Sequence, residues 1–180
     1  MKKKLMNEIS IPEGVEVKIE GDTITVKGEG GELRRKFSIK KMIFEKNGNK
    51  IILGKEISTK NDKKRINTMK AHIKNMLNGA KEKFEYELKV VSSHFPITVE
   101  INGNVATVKN FLGEKIPRKV KIIDGVDVSI NKDVISIKSN SKESAGQTAA
   151  NFEAATKIRM RDRRIFQDGI FLTSKSGRKI

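Results

Sequence analysis

Apolar and polar residues alternate through Val15, Val17 and Ile19, the chain turns at Glu20-Gly21-Asp22, and the alternation resumes at Ile24 and Val26. A period of two puts these apolar side chains on one face, the pattern of a β-hairpin buried on one side. The same pattern recurs 82 positions on, Ile19 matching Ile101. Ile97, Val99 and Ile101 lead into Asn102-Gly103-Asn104, and Ala106 and Val108 return. The match continues at Lys27 with Lys109, Gly31 with Gly113 and Glu32 with Glu114. Each half then offers a second strand pair. In the first, residues 42–45 and 51–53 flank Asn47-Gly48-Asn49; in the second, residues 126–130 and 134–137 flank Asn131-Lys132-Asp133.

After the strands the period changes to that of a helix. Ile66, Met69, Ile73, Met76, Leu77 and Ala80 fall on one face, with Lys63, Lys64, Lys70, Lys74 and Lys81 elsewhere on the helix. In the second half the run is Ala149, Phe152, Ala155, Thr156 and Ile158, with Ser141 or Ser144 as the cap. A one-faced sheet and a one-striped helix must cover each other. The fold class is therefore α+β: two tandem domains related by internal duplication, each an antiparallel β-sheet with one helix packed on it. The expected division is residues 1–83, residues 84–172 and a basic tail over residues 173–180, which has no apolar reason to fold alone.

Charge changes the picture from fold to partner. Among 180 residues the net charge is +16, shared as +9 over residues 1–90 and +7 over residues 91–180. Nucleic acid is the first acidic partner to consider, because Lys and Arg displace counterions from phosphate. A membrane surface is the second, but it calls for a basic amphipathic helix with bulky apolar residues opposite. The plain alternative is a solvated, lysine-rich surface. No apolar run approaches the roughly 20 residues of a bilayer span. The basic start, Lys2-Lys3-Lys4, is followed too soon by Glu8 to read as a secretory signal, so the expected location is the cytosol.

Catalytic chemistry finds little support. There is no cysteine, hence no thiolate nucleophile or metal site, and the two histidines, His72 and His94, are far apart in sequence. Gly28-Glu29-Gly30-Gly31 lacks the Gly-Lys-Ser/Thr ending of a phosphate loop and reads as a hairpin turn needing positive φ. Ser92-Ser93-His94 are neighbours in sequence, which does not make a triad, and nothing nearby in sequence orients the imidazole. Glu153, Asp162 and Asp168 lie near arginines and read as internal ion pairs. No strand shows the aromatic row of an RNA-recognition motif, so contact with phosphate and with folded RNA shape fits better than stacking on unpaired bases.

The basic clusters are local. Arg34-Arg35-Lys36 follows the glycine turn, and residues 60–65 precede the first helix, where positive charge opposes the dipole and invites a counter-anion. The densest group is Arg159, Arg161, Arg163 and Arg164. Guanidinium forks suit phosphate better than ammonium groups do. On a continuing helix Arg159 and Arg163 share a face; in an extended segment Arg159, Arg161 and Arg163 do. Lys175 adds a further charge near the end.

Several strings carry a resemblance. His94-Phe95-Pro96-Ile97, Asn110-Phe111-Leu112-Gly113-Glu114-Lys115, Gln147-Thr148-Ala149-Ala150-Asn151 and residues 162–170 (DRRIFQDGI), with Ile11-Pro12-Glu13, Val26-Lys27-Gly28 and His72-Ile73-Lys74-Asn75-Met76, resemble the large ribosomal subunit protein six family of archaeal and eukaryotic type. The resemblance runs in order over nearly the whole chain. It implies a duplicated, non-enzymatic protein without cofactor, membrane or small-molecule substrate. It implies binding to large-subunit rRNA near the sarcin–ricin loop, beside neighbouring ribosomal proteins at the stalk base. Carried over by motif, the RNA-facing positions are Ser93, His94, Pro96, Arg163, Arg164, Phe166, Asp168 and Gly169; charge alone adds Arg159, Arg161 and Lys175. A free-standing RNA-binding regulator or chaperone is the alternative.

Overall fold

The computed structural model describes residues 3–39 and 42–180; Lys2 of the basic start lies outside them. The chain divides into two compact units, residues 1–83 and 84–180. The first is built from β1 (Lys3–Ser10), β2 (Glu16–Glu20), β3 (Thr23–Gly28), β4 (Gly31–Lys36), β5 (Ile43–Asn47), β6 (Lys50–Ser58) and α1 (Lys60–Lys81). Its strands form two antiparallel sheets, ordered β2-β3-β4 and β1-β6-β5. Ile66, Met69, Ile73, Met76, Leu77 and Ala80 of α1 join Val17, Ile24, Val26, Ile51 and Leu53 of the strands in one buried core.

The second unit repeats this order with β7 (Phe84–Val91), β8 (Thr98–Asn102), β9 (Val105–Lys109), β10 (Arg118–Lys121), β11 (Asp127–Asn131), β12 (Val134–Ser139) and α2 (Lys142–Ala155), then adds β13 (Gly169–Lys175) and β14 (Arg178–Lys179). The registers repeat too. Val17 pairs with Val26, and Val99 pairs with Val108. Val17, Val26 and Val108 are buried, and Val99 packs half-buried on its own domain's core. The β3–β4 and β9–β10 connections differ: Val26 faces Leu33, whereas Val108 faces Arg118, three places beyond the repeat.

Local chemistry explains several departures from the sequence expectations. Residues 60–65 do not precede the first helix; they form its first turns. Thr59 caps α1, its hydroxyl accepting from the Asp62 N–H at 3.3 Å while Asp62 Oδ2 accepts from the Thr59 N–H at 3.0 Å. Asp62 also takes Lys55 Nζ at 2.9 Å, so the counter-anion is internal. These donors, led by the Thr59 N–H, hold its carboxyl at about 2. At α2 it is Ser141 that caps, accepting from the Ser144 N–H at 3.2 Å, and the helix stops at Ala155, short of Ile158. In the glycine turn only Gly31 has positive φ, at 123°. Gly28 and Gly30 are there for close approach: a Cβ on either would lie 2.5 Å from a carbonyl oxygen at the end of α1, and the Gly30 N–H donates to Ala80 O at 2.8 Å.

The expected tail is not separate. Residues 173–175 continue β13, which pairs antiparallel with β7, and β14 turns back on it. The anchor precedes the tail in sequence: Ile170 is buried and Leu172 packs against the core, so the polar end is carried along a strand already paired.

Candidate nucleic-acid interface

Three connections of the second unit meet beyond the end of β7. The first is residues 92–97, between β7 and β8. The second is residues 110–117, between β9 and β10. The third is residues 156–168, between α2 and β13. Asp168 ties the first to the third. Its side chain is 1% exposed and accepts from the Ser93 N–H at 2.6 Å, the His94 N–H at 3.0 Å and His94 Nδ1 at 2.6 Å. Burial pushes this carboxyl up, but the His94 N–H, the His94 ring and the Ser93 N–H outweigh it and hold the group below its ordinary value. Asp168 therefore does not hold an arginine, and being buried it positions the surface instead of presenting itself there. The imidazole that lacked an orienting group in sequence is oriented by a carboxylate 74 residues away.

With its Nδ1 edge fixed, the His94 ring lies on Phe166, centroids 4.9 Å apart and planes 23° from parallel. The Arg161 guanidinium lies 4.8 Å from the Phe166 ring centre. Arginine, phenylalanine and histidine thus form a short ladder, each contact adding about 0.5–1.5 kcal/mol beyond area burial. The second connection braces the first. Asn110, in the left-handed region at φ 57°, donates from Nδ2 to Pro96 O at 3.0 Å, and Gly113, at φ 76°, lies against the Phe95 ring. Both residues belong to the longer connection between β9 and β10.

The arginine segment is neither helix nor strand. Met160 takes a left-handed φ of 54° between Arg159 and Arg161, which breaks both periodicities. A turn then closes with the Ile165 and Phe166 N–H groups donating to Asp162 O at 3.2 and 3.0 Å. Asp162 pairs with Arg164 (Nη2 to Oδ2, 2.9 Å), its carboxyl lowered chiefly by that guanidinium. Arg164 stays 89% exposed, so the pair orients it without covering it. Arg159 and Arg161 line one cleft of about 420 Å³ with Glu114 and Arg118. Arg163 lines another, of about 710 Å³, with Lys157, Phe166 and Phe171.

Ser93, His94, Pro96, Arg161, Phe166 and Asp168 are thus brought together, with Arg159, Arg163 and Arg164 exposed beside them. Gly169 is buried at φ 155°, a backbone position that no RNA-facing side chain occupies. Lys175 is not part of the cluster: it pairs with Tyr86 at the opposite end of β13, about 20 Å along the strand. Glu153 does not hold an arginine either; its Oε1 accepts from the Leu172 N–H at 3.0 Å. Arg118 was missed in sequence. It forks onto Glu114, donates to Ala155 O at 2.7 Å at the end of α2, and covers the Phe111 ring at 4.3 Å. Its only signal was the basic run Arg118-Lys119 after Pro117.

Comparison with known proteins supplies the context. The family described as Ribosomal protein L6 matches residues 11–83 and again residues 95–169, one match per unit. The large ribosomal subunit protein uL6 of Methanobrevibacter smithii is 46% identical over 171 residues, covering 95% of this chain and 96% of that protein. The uL6 of Methanocella arvoryzae is 41% identical, covering 95% and 97%, and that of Methanococcus vannielii 38% identical, covering 97% and 96%.

Proposed function

Because the chain belongs to the ribosomal protein L6 family, and so is a non-enzymatic protein of the large subunit of the cytoplasmic ribosome, we propose that its second domain binds large-subunit rRNA through the surface built on Asp168. The observation that carries this reading is one buried carboxylate fixing the loop of Ser93 and His94 against the segment that presents Arg159, Arg161, Arg163 and Arg164. A rigid ledge with exposed guanidiniums on both sides suits a folded RNA backbone, because the ordering cost is met by the protein's own contacts before RNA arrives. In keeping with the family resemblance, the RNA is the region of the sarcin–ricin loop, with the ribosomal proteins of the stalk base as neighbours. There the protein's work is mechanical: it neutralises phosphate and holds RNA helices in one arrangement for translation factors.

The test compares two double variants of equal charge loss in a filter-binding titration with a sarcin–ricin-region fragment at one fixed salt. Charge-assisted contacts are worth about 1.5–3 kcal/mol each, so Arg163→Ala with Arg164→Ala weakens binding roughly tenfold to a thousandfold. Lys63→Ala with Lys64→Ala, on the exposed face of α1, costs less than about tenfold. Equal losses refute the assignment to the second domain.

A further inference from the structure

The duplication leaves one position filled in the second unit and empty in the first. In the second unit β13 lies along the outer edge of β7, Leu172 opposite Leu88 and Ile170 opposite Val90. Its other edge is held by the end of α2: the Ile170 N–H donates to Thr156 Oγ1 at 2.9 Å and the Leu172 N–H to Glu153 Oε1 at 3.0 Å. In the first unit β1 corresponds to β7, since Ile9 pairs with Ile51 as Leu88 pairs with Ile135, each one step in from the hairpin turn. The sheet there ends at β1, and among the described residues no strand pairs with its outer edge. Along that edge runs an open groove of about 400 Å³, lined by Glu8, Ile9, Ser10 and Pro12 on one side and Lys74, Leu77 and Asn78 of α1 on the other.

We propose that this groove receives an extended segment of another protein, which adds to β1 as a strand in the place β13 takes on β7. An unpaired strand edge offers a row of backbone donors and acceptors, and pockets beside it select alternate side chains. Ile9 and Leu77, both buried, make an apolar floor that calls for an apolar residue opposite Ile9, as Leu172 stands opposite Leu88. Asn78 stands exposed at the helix end, where Glu153 and Thr156 of α2 take the outer N–H groups of β13. Lys74 is exposed at the same rim, and Glu8 on the other side is paired with Lys50 at 2.8 Å, so the uncompensated charge of the groove is positive and the segment carries acid beside its apolar positions. Lys4, near the start of β1, blunts the rest of the edge against indiscriminate pairing. The groove lies wholly in the first unit, so this inference stands apart from the RNA reading of the second.

The probe is a blocked heptapeptide with the Ile-x-Leu spacing of β13 and aspartate at two of its outward positions. It is titrated into the isotopically labelled full chain while backbone amide signals are followed. The expected result is saturable shifts confined to residues 8–12 and 74–78, lost when the central peptide residue is proline. Lys74→Glu weakens binding about two- to fivefold, the effect of one exposed charge pair. Absence of shifts, shifts elsewhere or equal binding of the proline peptide overturns the proposal. In intact large subunits, β1 amides that do not face β6 should exchange about tenfold or more slowly than in the free chain. Unchanged exchange, or a photoreactive group at Met6 that cross-links to rRNA or to a second copy of this chain, overturns it as well.

Discussion

Removing the carboxylate of Asp168 tests the central structural claim. Two variants separate its roles. In Asp168→Ala the Ser93 N–H, the His94 N–H and the His94 ring all lose their acceptor. A charge-assisted hydrogen bond is worth about 1.5–3 kcal/mol, but Ser93 and His94 are exposed and their donors can turn to water, so the net cost is about 2–4 kcal/mol instead of the full sum. With a urea slope of about 2 kcal/mol per molar, the midpoint of the second domain falls by roughly 1–2 M. In Asp168→Asn the amide oxygen can still accept from the two backbone N–H groups, but its NH₂ faces His94 Nδ1, and the charge is gone. That variant keeps more of the stability but holds the imidazole only through a neutral hydrogen bond, with the ring proton on Nε2. Urea unfolding of the full chain, followed by fluorescence-independent circular dichroism, gives the first number; RNA binding under folding conditions gives the second. The expected order of affinity is parent, then Asn, then Ala, with Ala weaker by about tenfold or more. If Asp168→Ala changes neither stability nor affinity, the carboxylate does not organise this surface. If stability falls while affinity holds, the ledge is structural and RNA binds elsewhere.

Gly30→Ala places a methyl group 2.5 Å from the Gly79 carbonyl oxygen, with the backbone pinned to Ala80, so it should destabilise the first domain by about 2 kcal/mol or more in the same urea assay and leave RNA affinity unchanged. Asp62 supplies a pH dependence. Its carboxyl is lowered from 3.8 to about 2 in the folded chain, so the unfolded chain binds the proton more tightly. Its contribution is present above the unfolded value and is lost as pH falls through the folded one. Unfolding of Asp62→Asn against the parent should therefore differ at neutral pH and converge towards pH 2; a constant difference refutes the capping account.

What could be read in the sequence follows from what is periodic. The paired hairpins and the stripe from Ile66 to Ala80 declare themselves because burial on one face imposes period two or 3.6 on the residues. The two-sheet division is less visible, since β1 and β7 pair with strands forty or more residues away, and the inward face of β1 carries the polar Asn7 between Leu5 and Ile9. The arginine cluster was legible as charge. Its geometry was not, because a left-handed Met160 leaves no periodic trace. Asp168 was misread for a related reason: proximity in sequence pointed to arginines, whereas its partners stand 74 and 75 residues upstream, across the β7–β13 pairing.

The two halves finish one repeated architecture differently. What the second domain adds to the repeat is small: three residues between β7 and β8, three between β9 and β10, the 156–168 connection, and the β13–β14 hairpin. All of these except β14 serve the same end of the sheet, beyond the end of β7. The longer turn buttresses Phe95 and Pro96, β13 fixes the point at which the chain returns, and one residue before β13 stands Asp168. A strand that closes an edge thereby also delivers a carboxylate to the loop at the head of that edge. In the first domain, among the described residues, no strand pairs with the outer edge of β1, so that edge stays open. The same missing strand thus accounts for the groove between β1 and α1, and it makes the proposed strand capture there and the proposed RNA binding in the second half alternative uses of one position in the fold.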